Sequence, residues 1–211
     1  MKTILFQGDS ITDVGRNRDN ILSLGEGYAL MTAGTLGYKY PEEYKFINKG
    51  ISGNRVVDLF ARWKKDCLNI KPDYISILIG VNDVWHDLGC VEEANGVDAD
   101  KYEKVYDMLL EETLAKLPEV KIMVMEPYVL HGPATDDKWE VFSKEVELRR
   151  KISAKLAKKY GLPFVPLQSI FNEALKKAPA SYWSADGVHP TKAGHKLISD
   201  AWIDMFEKSL K

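Results

Sequence analysis

Short apolar runs alternate along this chain with longer stretches whose apolar residues return every three or four positions. The runs fall at 2–6, around 44–48, at 74–79 (YISILI), at 120–125 (VKIMVM) and at 163–167. Between them, Val56, Phe60, Trp63 and Cys67 follow the spacing i, i+4, i+7, i+11 of one buried helical stripe. Val141, Leu148, Ile152 and Leu156 predict a second stripe, and Leu197, Ala201 and Met205 a third. Helical period also covers about 100–117 and 26–36. Strands alternating with helices predict parallel βαβ units and an α/β fold whose sheet is covered on both faces. The nearly continuous segments ILI and MVM suit strands buried on both sides. No internal repeat, low-complexity segment or linker interrupts the pattern, so residues 1–211 are expected to form one domain, with 85–99 and 127–139 the longest irregular stretches.

In an open α/β sheet ligands bind outside the carboxyl ends of the strands, and polar clusters stand there. Gly8-Asp9-Ser10 follows the first run and Asn48-Lys49-Gly50-Ile51-Ser52-Gly53-Asn54 the second. Gly80-Val81-Asn82-Asp83 follows the third, and Asp186-Gly187-Val188-His189-Pro190 leads into the last helix. Each cluster supplies a part that acyl transfer needs. The Ser10 hydroxyl is a nucleophile once a base takes its proton. His189 has the basicity for that at neutral pH, and Asp186, three residues earlier, can fix its tautomer. The backbone N–H groups of Ser10 and Gly53 and the side-chain amide of Asn82 are candidate donors to a tetrahedral oxyanion. Gly53 is expected where the next helix begins.

Blander readings compete. Ser10 would also serve as a helix N-cap, and Asn82-Asp83 as an Asx turn. Asp9 is read as a brace for the serine loop. Asp83, His86 and Asp87 match no standard zinc spacing and read as solvated loop residues, so no metal is expected. His131 and His195 read as surface or structural residues.

Composition narrows the classes further. Hydrophobic residues make up 45% and charged residues 28% of the 211, which suits a packed core and excludes disorder. The formal net charge of −2, with the signs mixed, gives no footprint for nucleic acid or an anionic membrane. No apolar run is long enough to span a bilayer, and the apolar start dies at Gln7, too short for a secretory signal. Cys67 and Cys90 lack a CxxC spacing and read as reduced thiols, which predicts a cytoplasmic protein.

Taken in order, GDS, ISGN, GVND and DGVHP resemble the four sequence blocks of the SGNH hydrolases, also called GDSL-type esterases and lipases. The match runs from Ser10 to His189, nearly the whole chain. It implies a three-layer α/β/α sandwich with a five-stranded parallel sheet in the flavodoxin-like order 2-1-3-4-5. It puts the nucleophile on Ser10, the base on His189, its supporting acid on Asp186 and the oxyanion donors on Ser10, Gly53 and Asn82, with no cofactor. An isoleucine, Ile11, stands where the family nickname has leucine, and the GxSxG elbow of the α/β-hydrolases is absent.

The stretches GDSITDVGR, NKGISGNRVVDLFARW, SILIGVNDVW and GVHPTKAGH are similar to those of bacterial acetylxylan esterases and related carbohydrate esterases. That resemblance implies a small-molecule ester substrate, an acetylated xylo-oligosaccharide or similar sugar. Trp85, Tyr182 and Trp183 flank the blocks and are candidate stacking surfaces for a pyranose ring, although each also reads as a core aromatic. A broad short-chain carboxylesterase or lysophospholipase is the alternative activity. A sugar-binding module on an inactive scaffold is a reading from another class, opposed by the complete Ser-Asp-His set. The tryptophans would serve an interface as readily as a core, which leaves a homo-oligomer open.

Overall fold

A computed structural model describes residues 1–88 and 93–211. Among these residues five strands form one parallel sheet: β1 (Lys2–Gly8), β2 (Tyr44–Asn48), β3 (Tyr74–Leu78), β4 (Lys121–Met125) and β5 (Phe164–Val165). Their order is β2-β1-β3-β4-β5, as the resemblance implied. The helices are α1 (Ser10–Asp13), α2 (Tyr28–Lys39), α3 (Val56–Trp63), α4 (Val81–Trp85), α5 (Ala99–Lys116), α6 (Trp139–Lys159), α7 (Leu167–Ala174), α8 (Ala180–Trp183) and α9 (Lys192–Ser209). From β1 the chain steps out to β2 and then returns past it to β3. Strand order therefore reverses between β1 and β3, and such a reversal opens a crevice at the carboxyl edge of the sheet.

Side chains alternate between the two faces of the sheet. Leu5, Ile75, Ile77, Ile122 and Val124 pack under α3 and α5. Ile4, Phe6, Tyr74, Leu78, Met123 and Met125 pack under α2, α7 and α9. Two covered faces are why these strands read as unbroken apolar runs.

The helical stripes follow the predicted period but not always the predicted residues. In α3, Val56 and Trp63 are buried, and their fully buried companion is Leu59, with Phe60 only partly covered. A π turn, Lys64–Leu68, continues α3; the Asn69 N–H reaches Lys64 O at 2.9 Å. It keeps Cys67 in the core.

In α6 the expected stripe is overturned at its start, because Val141 is 54% and Leu148 36% exposed. The buried line is Phe142, Val146, Arg149, Ser153 and Leu156, spaced i, i+4, i+7, i+11, i+14. It contains an arginine and a serine, so counting apolar residues selects the neighbouring line. The Arg149 guanidinium donates to Val97 O, and the Ser153 hydroxyl pairs with Tyr102 Oη at 3.0 Å. In α9 the same substitution of lines occurs. Leu197, Ala201 and Met205 are only partly buried, while His195, Ile198, Ser199, Trp202 and Phe206 face the core.

Among the described residues no helix is long and apolar enough to cross a membrane. Cys90 and the middle of the 85–99 loop lie outside them.

Candidate active site

At the end of β1 the backbone turns sharply into α1. A Cβ on Gly8 would lie 2.4 Å from both Leu78 O and Thr12 Oγ1, so no larger residue fits where β1 passes β3. Asp9 caps the short helix, its Oδ1 accepting the Ile11 N–H at 3.0 Å. Ser10 is then the first helical residue and is not the cap, which leaves its hydroxyl free for another partner.

That partner is His189. Ser10 Oγ lies 2.9 Å from His189 Nε2, and His189 Nδ1 lies 2.7 Å from Asp186 Oδ2. The tautomer that satisfies both contacts donates Nδ1–H to the carboxylate and turns the Nε2 lone pair towards the hydroxyl. Asp186 Oδ1 also accepts the amides of Val188 (2.9 Å) and His189 (2.7 Å), which folds the loop around the carboxylate. The outside of the loop is held by Leu130 N–H donating to Gly187 O (2.8 Å) and Ala134 N–H to Asp186 O (3.0 Å). Tyr128 Oη adds a bond to Val188 O at 3.0 Å. Burial alone would raise the Asp186 carboxyl. The hydrogen bonds from the His189 ring and from two backbone amides outweigh that and hold it below its ordinary value.

Gly53 adopts φ +81°, the left-handed region, in a turn two residues ahead of the α3 cap at Arg55. It therefore precedes the helix rather than opening it. Among the described residues neither the Ser10 nor the Gly53 amide donates a hydrogen bond. The Asn82 Nδ2 donates to Asn54 O at 3.1 Å, which leaves its second N–H to be used. A nucleophile–base–acid relay and three available donors are the parts of an acyl-transfer site.

A model of the GDSL-like lipase/acylhydrolase family matches residues 6–197. The chain belongs to that family. An acetylxylan esterase of Geobacillus stearothermophilus is 38% identical over 208 residues, covering 95% of this chain and 91% of the relative. A candidate GDSL-like lipase from Parabacteroides merdae superposes with a TM-score of 0.90 at 42% identity, covering 98% and 95% of the two chains. Crystal structures of a Geobacillus stearothermophilus acetylxylan esterase superpose at 0.85 with 36% identity, over 97% and 93%. Three of these are catalytic mutants, of an aspartate, a serine and a histidine.

In this GDSL-like hydrolase the flanking aromatics part company. The Trp85 ring lies 5.6 Å from that of His189 and 6.1 Å from that of Phe142. Trp183 donates its indole N–H to Ala178 O at 3.2 Å and lines a separate groove of about 370 Å3 with Ile170, Ala174 and Leu197. Tyr182, 56% exposed, stands edge-on to Trp183 at 4.9 Å. A groove of about 670 Å3 runs beside α4, α5 and α6 past Val84, Leu88, Val141 and Leu148; neither Ser10 nor His189 lines it. Position relative to the relay, rather than volume, decides which surface bears on the chemistry.

Two polar residues of the hydrolase, Asp13 and Gln7, were given no role in the sequence reading, and Asp83 was given a different one. Asp13 accepts Ser52 N (2.9 Å), Ser52 Oγ (3.0 Å) and Arg18 Nη2 (2.6 Å), tying the serine loop to the Gly53 loop. Burial opposes its charge, but these donors keep its carboxyl below the ordinary value. Asp83 is not an Asx-turn residue. Fully buried, it accepts Val56 N–H with both oxygens (3.0 and 3.2 Å) and so anchors the start of α3. Burial pushes the carboxyls of Asp83 and Asp9 up to about 7. Gln7 carries the one available signal, a polar residue in an otherwise apolar strand.

Proposed function

We propose that the chain hydrolyses short-chain, principally acetyl, esters of carbohydrates such as acetylated xylo-oligosaccharides through an acyl-enzyme on Ser10. The observation that carries this reading is the Ser10–His189–Asp186 relay at 2.9 and 2.7 Å. It is supported by the serine, aspartate and histidine of the catalytic mutants in the related acetylxylan esterase.

In the acylation step Ser10 Oγ bonds to the ester carbonyl carbon as His189 Nε2 takes its proton. The carbonyl electron pair moves onto oxygen, where the amides of Ser10 and Gly53 and the side chain of Asn82 receive it. Collapse breaks the bond to the sugar oxygen, which leaves with the proton from His189. Water then attacks the acetyl-serine with His189 again as base, and acetate departs as Ser10 regains its proton. Asp186 stays ionised and stabilises the imidazolium. Trp85, beside His189, offers the stacking face for the sugar. Trp183 lines the separate groove, with Tyr182 edge-on to it, and both are left out of this proposal. The cytoplasm is our reading of the compartment, tested by cell fractionation.

Chain length tests the acyl pocket. Each buried methylene would add about 0.8 kcal/mol of binding if room existed, whereas overfilling costs about 1–3 kcal/mol. A small pocket makes kcat/KM on p-nitrophenyl esters fall steeply from acetyl to butyryl and become negligible by octanoyl. A fluorophosphonate should label Ser10. Best activity on octanoyl esters would transfer the proposal to a general esterase or lysophospholipase, the reading that the lipase-like relative favours.

A further inference from the structure

We propose that Arg62 is a positioning residue that sets the three candidate oxyanion donors in register, an inference that rests on the reading of Ser10, Gly53 and Asn82 given above. Arg62 lies in α3 with its side chain 14% exposed, and no substrate role is implied for it. Its guanidinium reaches three acceptors on two segments at once. Nε donates to Asn54 Oδ1 at 2.7 Å, Nη2 to Gly8 O at 3.2 Å and Nη1 to Gln7 Oε1 at 3.1 Å. Gly8 O stands two residues ahead of Ser10, and Asn54 directly follows Gly53. The backbone O of Asn54 in turn accepts the Asn82 amide at 3.1 Å. One planar cation thus links the serine turn, the Gly53 turn and, through Asn54, the side chain of Asn82.

The surroundings are built for this fork. Gln7 points into the core at 0% exposure, where an unpaired amide would be costly. Both of its ends are occupied, Oε1 by Arg62 and Nε2 by Asp66 O at 2.7 Å. Asp66 Oδ2 receives Arg62 Nη1 at 3.2 Å and balances the charge. The π turn Lys64–Leu68 carries Asp66 to this place. Gly8 O also accepts Ile51 N–H at 3.1 Å, so the carbonyl that Arg62 grips already joins β1 to the Gly53 turn. A lysine could satisfy one of these acceptors but not the whole fork. Donors aimed at a developing oxyanion lose effect when displaced by a fraction of an ångström to an ångström.

The test is steady-state kinetics on p-nitrophenyl acetate with Arg62→Met, Arg62→Lys, Asn82→Ala and the double variant Arg62→Met/Asn82→Ala, beside Ser10→Ala. Arg62→Met should lower kcat by about tenfold to a hundredfold with KM within about threefold, and Arg62→Lys should recover part of the loss. The double variant should lose less than the product of the two single losses, because both changes act on the Asn82 donor while Arg62 also positions the other two. Unchanged kcat, a rise in KM alone, or fully additive losses would overturn the inference. If Arg62→Met does not fold, Asn54→Ala decides, since it removes the Arg62 acceptor and keeps the backbone O for Asn82. A fall in kcat at constant KM then supports the inference, and an unchanged kcat overturns it. Activity surviving in Ser10→Ala would remove the underlying reading and the inference together. With Ser10→Ala inert, a normal Arg62→Met removes the inference alone.

Discussion

The carboxyl group of Asp186 is 28% exposed and is met by the His189 ring and two backbone amides. At the same sheet edge, beneath the serine, Asp9 and Asp83 are 1% and 0% exposed and each accept from one neighbouring amide, that of Ile11 or Val56. The first carboxyl is held below its ordinary value, the other two are driven up to about 7. One residue type thus does two jobs. Where, on the proposed mechanism, a positive imidazolium is to be stabilised, the loop supplies enough donors to keep the charge. Where only a backbone must be pinned, the oxygen matters and the charge does not.

The sharpest way to break this contrast is kinetic. Ser10→Ala and His189→Ala should each lower kcat on the order of 10⁴–10⁶-fold, and Asp186→Asn on the order of 10²–10⁴-fold. Combining any two should add little to the worst single change, because the group acts as a unit. Asp9→Asn, which keeps the capping oxygen, should leave kcat within about tenfold. A loss at Asp9 equal to that at Asp186 would erase the distinction. Next in size, Asn82→Ala should cost on the order of 100-fold in kcat through the lost donor.

Stability against pH sharpens the comparison from the other side. For Asp9 and Asp83 the unfolded chain loses its protons near the ordinary value of 3.8 while the folded chain keeps them to about 7. Their contribution therefore falls as pH rises through that window and is constant above it. The fall is on the order of 4 kcal/mol for each carboxyl. Asp83→Asn should flatten the decline in urea titrations run from pH 4 to 8. Asp186 works in the opposite sense, adding stability above the ordinary carboxylate range that is lost as pH falls through its depressed folded value. If Asp83→Asn leaves the slope as it was, its carboxyl is ionised in the fold.

Smaller still is the aromatic effect. Trp85→Ala should reduce kcat/KM for an acetylated xylo-oligosaccharide about three- to tenfold more than for p-nitrophenyl acetate, the value of one stacking contact. Trp183→Ala should not distinguish the two. EDTA should change nothing, and zinc-dependent recovery after chelation would demand a second mechanism.

The strands and the polar blocks after them were legible because both are local signals: an apolar run, then a glycine-rich turn. The relay was legible through the types and order of Ser10, Asp186 and His189. The helix faces of α6 and α9 were not, since their buried lines hide Arg149, Ser153, His195 and Ser199 among apolar neighbours. Each has a partner remote in sequence: Val97 O for Arg149, Tyr102 for Ser153, Tyr28 N–H for His195 and Thr32 for Ser199. The direction of the Trp183 ring was not legible either, for a related reason. Adjacency to the Asp186 loop in sequence does not say which way a ring turns, and this one turns to the groove between α7 and α9.

Ser10 and His189 are 179 positions apart, and the helix after His189 closes against α2 through His195 and Ser199. A growing polypeptide presents β1 early, and domains fold as their segments emerge from the ribosome. The Ser10 hydroxyl is therefore made well before His189, the base of the proposed mechanism. On the proposed mechanism a chain that stops before His189 carries the nucleophile without its base and should be inert towards esters. On that reading hydrolysis should require both segments, and pairing a fragment that ends after α6 with one that begins at β5 should restore it only on reassembly.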